Sequence, residues 1–213
     1  MPPVTAHSHF NVTRQTTNPC YAITMKMILA LVLATFTLGS AASAAPRDYV
    51  LQPEASTVGF ETDFGPDKIT GRMPVIRAEI RLDFQNLAAS TIAVTLDVAG
   101  AQASFPFAAQ ALRGPKVLDA QDFPTITFQS TAVRATGTEA EVTGNITIRG
   151  VTRPATLHAA LYRQQGTAPG ALDLLTIRLT GAVQRRDFGA TGWNDMVGDQ
   201  VRLDILARIA QVK

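Results

Sequence analysis

The chain has 213 residues, of which 46% are hydrophobic and 17% charged, and its formal net charge is +2 at pH 7. That length suits a single well-cored domain, and so small a charge gives no footprint for a nucleic-acid partner. The one cysteine, Cys20, and two of the three histidines, His7 and His9, lie near the N-terminus, which leaves the rest of the chain without a disulfide framework or a cysteine nucleophile.

In chain order, residues 1–24 read as an upstream extension. Lys26 then precedes the uncharged stretch MILALVLATFTLG, and Ala42, Ser43 and Ala44 follow as small residues. This is the order of a secretory signal peptide, with cleavage expected after Ala44. The alternative, a transmembrane anchor, needs about 20 apolar residues, more than the stretch supplies. No twin-arginine pair precedes it, so the general secretory route is expected, and no cysteine at the cleavage site offers a lipid anchor. Cleavage removes Arg14 and Lys26 and no acid, so the mature chain, 45–213, carries no net formal charge.

That mature chain alternates apolar and polar residues almost throughout, which predicts strands. The runs are 49–51, 57–64, 68–73, 75–84, 91–99, 125–134, 139–149, 155–163, 174–185 and 200–211. Regular strand–turn spacing with little helix predicts one all-β domain, a sandwich or a barrel. FAAQALRGPKVLDAQDF, residues 107–123, departs from the pattern. Its spaced leucines and the Gly114-Pro115 break predict two short helical turns, over 107–113 and 115–119, as a lid or as a cap on the core.

Candidates for chemistry are few. His158, the one histidine of the mature chain, sits in a strand between Leu157 and Ala159 with no Gly-x-Ser-x-Gly or similar partner. No set of residues has metal-ligand spacing, and the turn holding Asp195 and Asp199 lacks the calcium-loop pattern. Asn145-Ile146-Thr147 fits a glycosylation triplet but falls inside a strand. Arg185 and Arg186 are adjacent in a strand and must face opposite ways. Neither a catalytic residue nor a cofactor or metal is expected.

Three stretches carry a family resemblance: DAQDFPTITFQST (119–131), VTGNITIRGVTRPATL (142–157) and RRDFGATG (185–192), with a looser match at 56–73. Together and in this order, the chain resembles the YceI family of exported proteins. Where that family commonly has a histidine, this chain has Asp63; where it has an asparagine before the arginine, this chain has Gln184. The resemblance implies a single extended, antiparallel, lipocalin-like barrel with an isoprenoid lipid of polyprenyl phosphate or quinone type in its interior. It implies a periplasmic carrier, not an enzyme, with no permanent membrane anchor. Transient membrane contact and a homodimer are both compatible with it. The tunnel and mouth candidates are Phe60, Phe64, Phe84, Phe107, Leu112, Phe123, Phe128, Leu157, Ala159, Phe188 and Trp193. Arg185, the family-matched arginine, is either a cation at the mouth facing a phosphate or quinone oxygen or the partner of Asp187 in a salt bridge. Rival readings are a stress or interaction barrel with a filled core and a carboxylate-dependent enzyme.

Overall fold

The computed structural model describes residues 45–163 and 166–213, so the expected extension and signal peptide lie outside the described residues. The described residues form eleven strands: β1 Arg47–Leu51, β2 Thr57–Phe64, β3 Asp67–Met73, β4 Val75–Leu82, β5 Thr91–Asp97, β6 Gln102–Ala103, β7 Thr125–Thr136, β8 Glu139–Ile148, β9 Val151–Arg163, β10 Leu174–Gln184 and β11 Val197–Gln211. Among them one α-helix, α1, spans Pro106–Arg113. The order β1-β4-β5-β7-β8-β9-β10-β11 closes on itself because β1 also pairs with β11. All of these pairings are antiparallel. The remaining strands extend three of these positions: β2 continues β1, β3 leads into β4, and β6 continues β5. The result is an eight-position antiparallel barrel, closed by the pairing of β1 with β11.

Each broken position has a local cause. A 3-10 turn, Pro53–Ala55, separates β1 from β2. Pro74, which has no N–H for a ladder, separates β3 from β4, and its carbonyl accepts from Asp97 N at 2.9 Å. At the end of β5, Asp97 Oδ1 accepts from Ala99 N at 2.9 Å and turns the chain out of the sheet.

The β8–β9 link is a two-residue hairpin. Arg149 and Gly150 have φ of 51° and 71°, and Ile148 pairs with Val151 directly across the turn. Positive φ at both central positions matches the twist of the flanking strands, so β9 begins at Val151 and not at 155.

Two further expectations are corrected. Residues 115–119 form no helix: Gly114-Pro115 ends α1, and the next residues make a loop tied back by Val117 N to Gly114 O at 3.0 Å and Leu118 N to Leu112 O at 3.0 Å. Arg149 then takes the carbonyls of Pro115 and Val117, at 2.8 and 3.0 Å, which a continuing helix would need for itself. Arg185 likewise lies outside β10, in a 3-10 turn, Arg185–Phe188, that Gly189 ends at φ 73°.

The barrel has two unlike ends. The helix end holds α1, the β2–β3 and β8–β9 hairpins and the long loop between β10 and β11. The far end holds the β4–β5, β7–β8 and β9–β10 connections. At the helix end, Met73, Val98, Ala101, Leu118, Ile126, Ile146, Ile148 and Phe188 form one buried cluster. At the far end, Tyr49, Ile80, Leu82, Leu175 and Ile209 form another.

Candidate functional site

Inward positions on the strands enclose a cavity of about 1000 Å³ that reaches from α1 to the β7–β8 hairpin. That is the upper part of the range for ligand pockets. It stays open because bulky inward rings lie along the wall. A Cβ at Gly71 would collide with the ring of Phe60, and one at Gly144 with the ring of Phe128. Each phenylalanine therefore occupies the side-chain space that a glycine on the neighbouring strand leaves free, a cross-strand fit of large against absent. Gly181 and Leu157 repeat it between β10 and β9.

β9 presents Leu157 and Ala159 inward, both buried, and turns His158 outward. His158 stands opposite Glu141 on β8 and Thr180 on β10. Phe84 lines the far end of the lumen and meets Tyr49 edge-on, with ring centres 6.3 Å apart. Leu112 of α1 faces the lumen, and Phe188 is buried beneath it. Phe64 sits at the helix-end rim with its ring 6.2 Å from that of Phe105. Phe107 and Trp193 complete the rim, exposed to 82% and 44%.

Phe123 is the exception among the tunnel candidates. It is not part of the lining; it packs against Gly150 and under the guanidinium of Arg149, 5.9 Å from the ring centre. The positive-φ hairpin brings Gly150 close enough to claim that ring.

Arg185 borders the lumen, but its five N–H groups are all engaged. Nε donates to Gly198 O at 2.9 Å, Nη1 to Ala190 O at 2.6 Å and Gly192 O at 2.8 Å, and Nη2 to Asn194 Oδ1 at 3.0 Å and Val197 O at 3.0 Å. A guanidinium has five donors in a fixed fork, so none is left for a ligand head group or for Asp187. Burial pushes its pKa down, with Asp199 opposing. Both expectations for this side chain are thereby corrected: it is the peg around which the 189–198 loop is folded. Arg186 faces out and pairs with Asp199.

Asp63 also faces out, bonded to Arg202 at 2.5 Å, and Arg202 in turn holds Glu61, which Lys68 grips at 2.7 Å. These hydrogen bonds hold both carboxyls below their ordinary values: for Glu61 the Lys68 bond is the largest cause, and for Asp63 the Arg202 bond.

The described residues contain no group of three His, Cys, Asp or Glu side chains placed to hold a metal ion. The lumen's only charged lining residues besides Arg185 are Lys116 at the helix end and Glu139 at the far end, among the described residues. Neither stands out in the sequence. Lys116 is marked only by following the Gly114-Pro115 break, and Glu139 only by opening β8.

A family model described as a YceI-like domain matches residues 49–209. The chain belongs to the YceI family. Its similarity to other members spans their length: it is 30% identical over 193 residues to Protein YceI of Salmonella arizonae, covering 88% of this chain and 99% of that one. A UPF0312 protein of Pseudomonas aeruginosa is 31% identical over 164 residues, covering 76% of this chain and 84% of the relative. Among solved structures, Burkholderia cenocepacia BcnA superposes with a TM-score of 0.67 at 22% identity, covering 75% of this chain and 99% of that chain. A polyisoprenoid binding domain from Saccharophagus degradans superposes with a TM-score of 0.56 at 11% identity, covering 78% and 99%. At such identities these two likenesses concern the YceI barrel as a fold.

Proposed function

We propose that this YceI-family protein is an exported binding or carrier protein that holds a long-chain isoprenoid lipid, of polyprenyl phosphate or quinone type, inside the barrel. The observation that carries this reading is the open lumen of about 1000 Å³, walled by aliphatic and aromatic side chains. An apolar tail gains about 0.8 kcal/mol for each CH₂ it buries, so such a wall holds a long tail with few polar contacts. The Saccharophagus degradans domain of the same fold is described as polyisoprenoid binding, which agrees with it. The Lys26, apolar stretch and Ala-Ser-Ala order supports export to the periplasm, with the mature chain starting at Ala45.

Protein purified from its native host is extracted with organic solvent and the extract examined by mass spectrometry. An isoprenoid lipid near one per chain is expected. A lipid-free barrel that also fails to take up added isoprenoid refutes the carrier. The intact mass of the same sample reports cleavage, and a retained apolar leader refutes the export reading.

A further inference from the structure

The lumen's two ends differ in charge, and among the described residues that line it one cation is free to meet a ligand. Arg185 is spent on the loop. Lys116 lines the same mouth, is exposed, and its ammonium makes no hydrogen bond or ion pair among the described residues. Its backbone, by contrast, is held from two sides. Arg149 grips the carbonyls on either side of it, Pro115 and Val117. Gly192, whose own carbonyl is bound by Arg185, donates its N–H to Lys116 O at 2.8 Å. A Cβ at Gly192 would stand 3.0 Å from Lys116 Cβ and from its carbonyl oxygen, so the close approach favours a glycine there. Two arginines thus position a lysine whose charge is left unused. At the opposite end of the lumen the charged lining residue is Glu139, which disfavours an anion.

We infer that Lys116 is the head-group contact of the lumen, and that the ligand is an anionic amphiphile seated with its phosphate or carboxylate at the helix end and its tail toward the β7–β8 hairpin. This rests on the carrier reading and selects within it, since a neutral quinone head gains little from an ammonium. A partly exposed, charge-assisted contact of this kind discriminates by about tenfold, and salt weakens it.

The test is equilibrium binding of a polyprenyl monophosphate, and of the polyprenyl alcohol of the same length, to delipidated protein. Wild type is expected to prefer the phosphate about tenfold. Lys116→Gln should abolish that preference while holding the alcohol within about twofold, Lys116→Arg should keep it, and Glu139→Gln should not reduce it. A preference that survives Lys116→Gln, one lost in Glu139→Gln, or none in wild type overturns the assignment and leaves the carrier standing. Failure of both probes to bind overturns the carrier reading and the assignment with it.

Discussion

The two ends of the barrel are held by different forces. At the far end, Leu175 and Ile209 have no exposed surface and pack with Tyr49, Ile80 and Leu82 where β1, β4, β10 and β11 converge. Apolar burial does the work there, and Tyr49 adds one hydrogen bond, from its hydroxyl to Leu172 O at 2.9 Å. The helix end also has an apolar cluster, but its covering loops are tied by side-chain-to-carbonyl bonds from two arginines, Arg185 and Arg149. Packing needs only complementary volume, and at the far end Ile80, Leu82 and Ile209 of that cluster also line the lumen. Polar ties fix loops at chosen points, and at the helix end the exposed Phe107 and Trp193 rim the lumen beside them.

The sharpest way to break this comparison is to remove the polar peg. Arg185→Ala removes the guanidinium donor from four carbonyls and Asn194 Oδ1, of which Gly198 O keeps the Thr62 hydroxyl. The expected cost is about 3–5 kcal/mol, seen as a fall in Tm on the order of 10 °C. Arg185→Lys should rescue less than half, because an ammonium has three donors and no planar fork. Thermal melts of both variants decide it; a loss under about 1 kcal/mol would mean that the loop holds without its peg.

Leu175→Ala probes the packed end. A fully buried leucine that does not itself line the lumen should cost about 3 kcal/mol, transfer and cavity together. Chemical denaturation measures it, and the deficit relative to wild type should be the same with and without added isoprenoid if Leu175 acts apart from the ligand space.

A third pair of variants compares a tightly packed and a half-buried position of the lumen wall. Ala159 is 8% exposed, packs with Val133, Val142 and Leu157 and also borders the lumen, so Ala159→Phe should cost about 1–3 kcal/mol by overpacking. Ala78 is half-buried and borders the lumen. Ala78→Phe should cost less than Ala159→Phe and should abolish lipid uptake by filling ligand space. Both quantities belong to delipidated samples, because bound lipid raises apparent stability. Equal melting temperatures with uptake intact in Ala78→Phe would remove the distinction.

The smallest effect is electrostatic. Glu61 and Asp63 have carboxyls held below their ordinary values by Lys68 and Arg202. Folded-state values lower than unfolded ones mean stabilisation that is present at neutral pH and is lost as acid protonates the carboxylates, below about pH 4. The groups are exposed, so the slope should be shallow and weakened by salt. Denaturation midpoints between pH 3 and 7, about the span of interest, should show a shallower acid slope in Arg202→Gln than in wild type; identical slopes would assign the acid sensitivity elsewhere.

Much of the barrel was legible in the sequence because a strand's side chains alternate with a period of two. The run 57–64 matches β2 residue for residue, and alternation places Leu157 and Ala159 on one strand face, which the fold turns inward. Phe123 was misplaced because nothing in its own neighbourhood shows that Gly150, on a separate hairpin, comes to lie against its ring. Lys116 went unremarked for the same reason: its importance depends on which other cation is already spent.

The sequence by itself determined the all-β class, the family and the break at Gly114-Pro115, since each is written in local pattern or local chemistry. Only the tertiary structure decided that the lumen is open and which cation faces it. Openness depends on cross-strand register, which lays Phe60 over Gly71 and Phe128 over Gly144. The availability of a cation depends on where backbone carbonyls point after the 189–198 loop has folded. Periodicity reports which side of a strand a residue occupies; it says nothing of the partner its donors meet there.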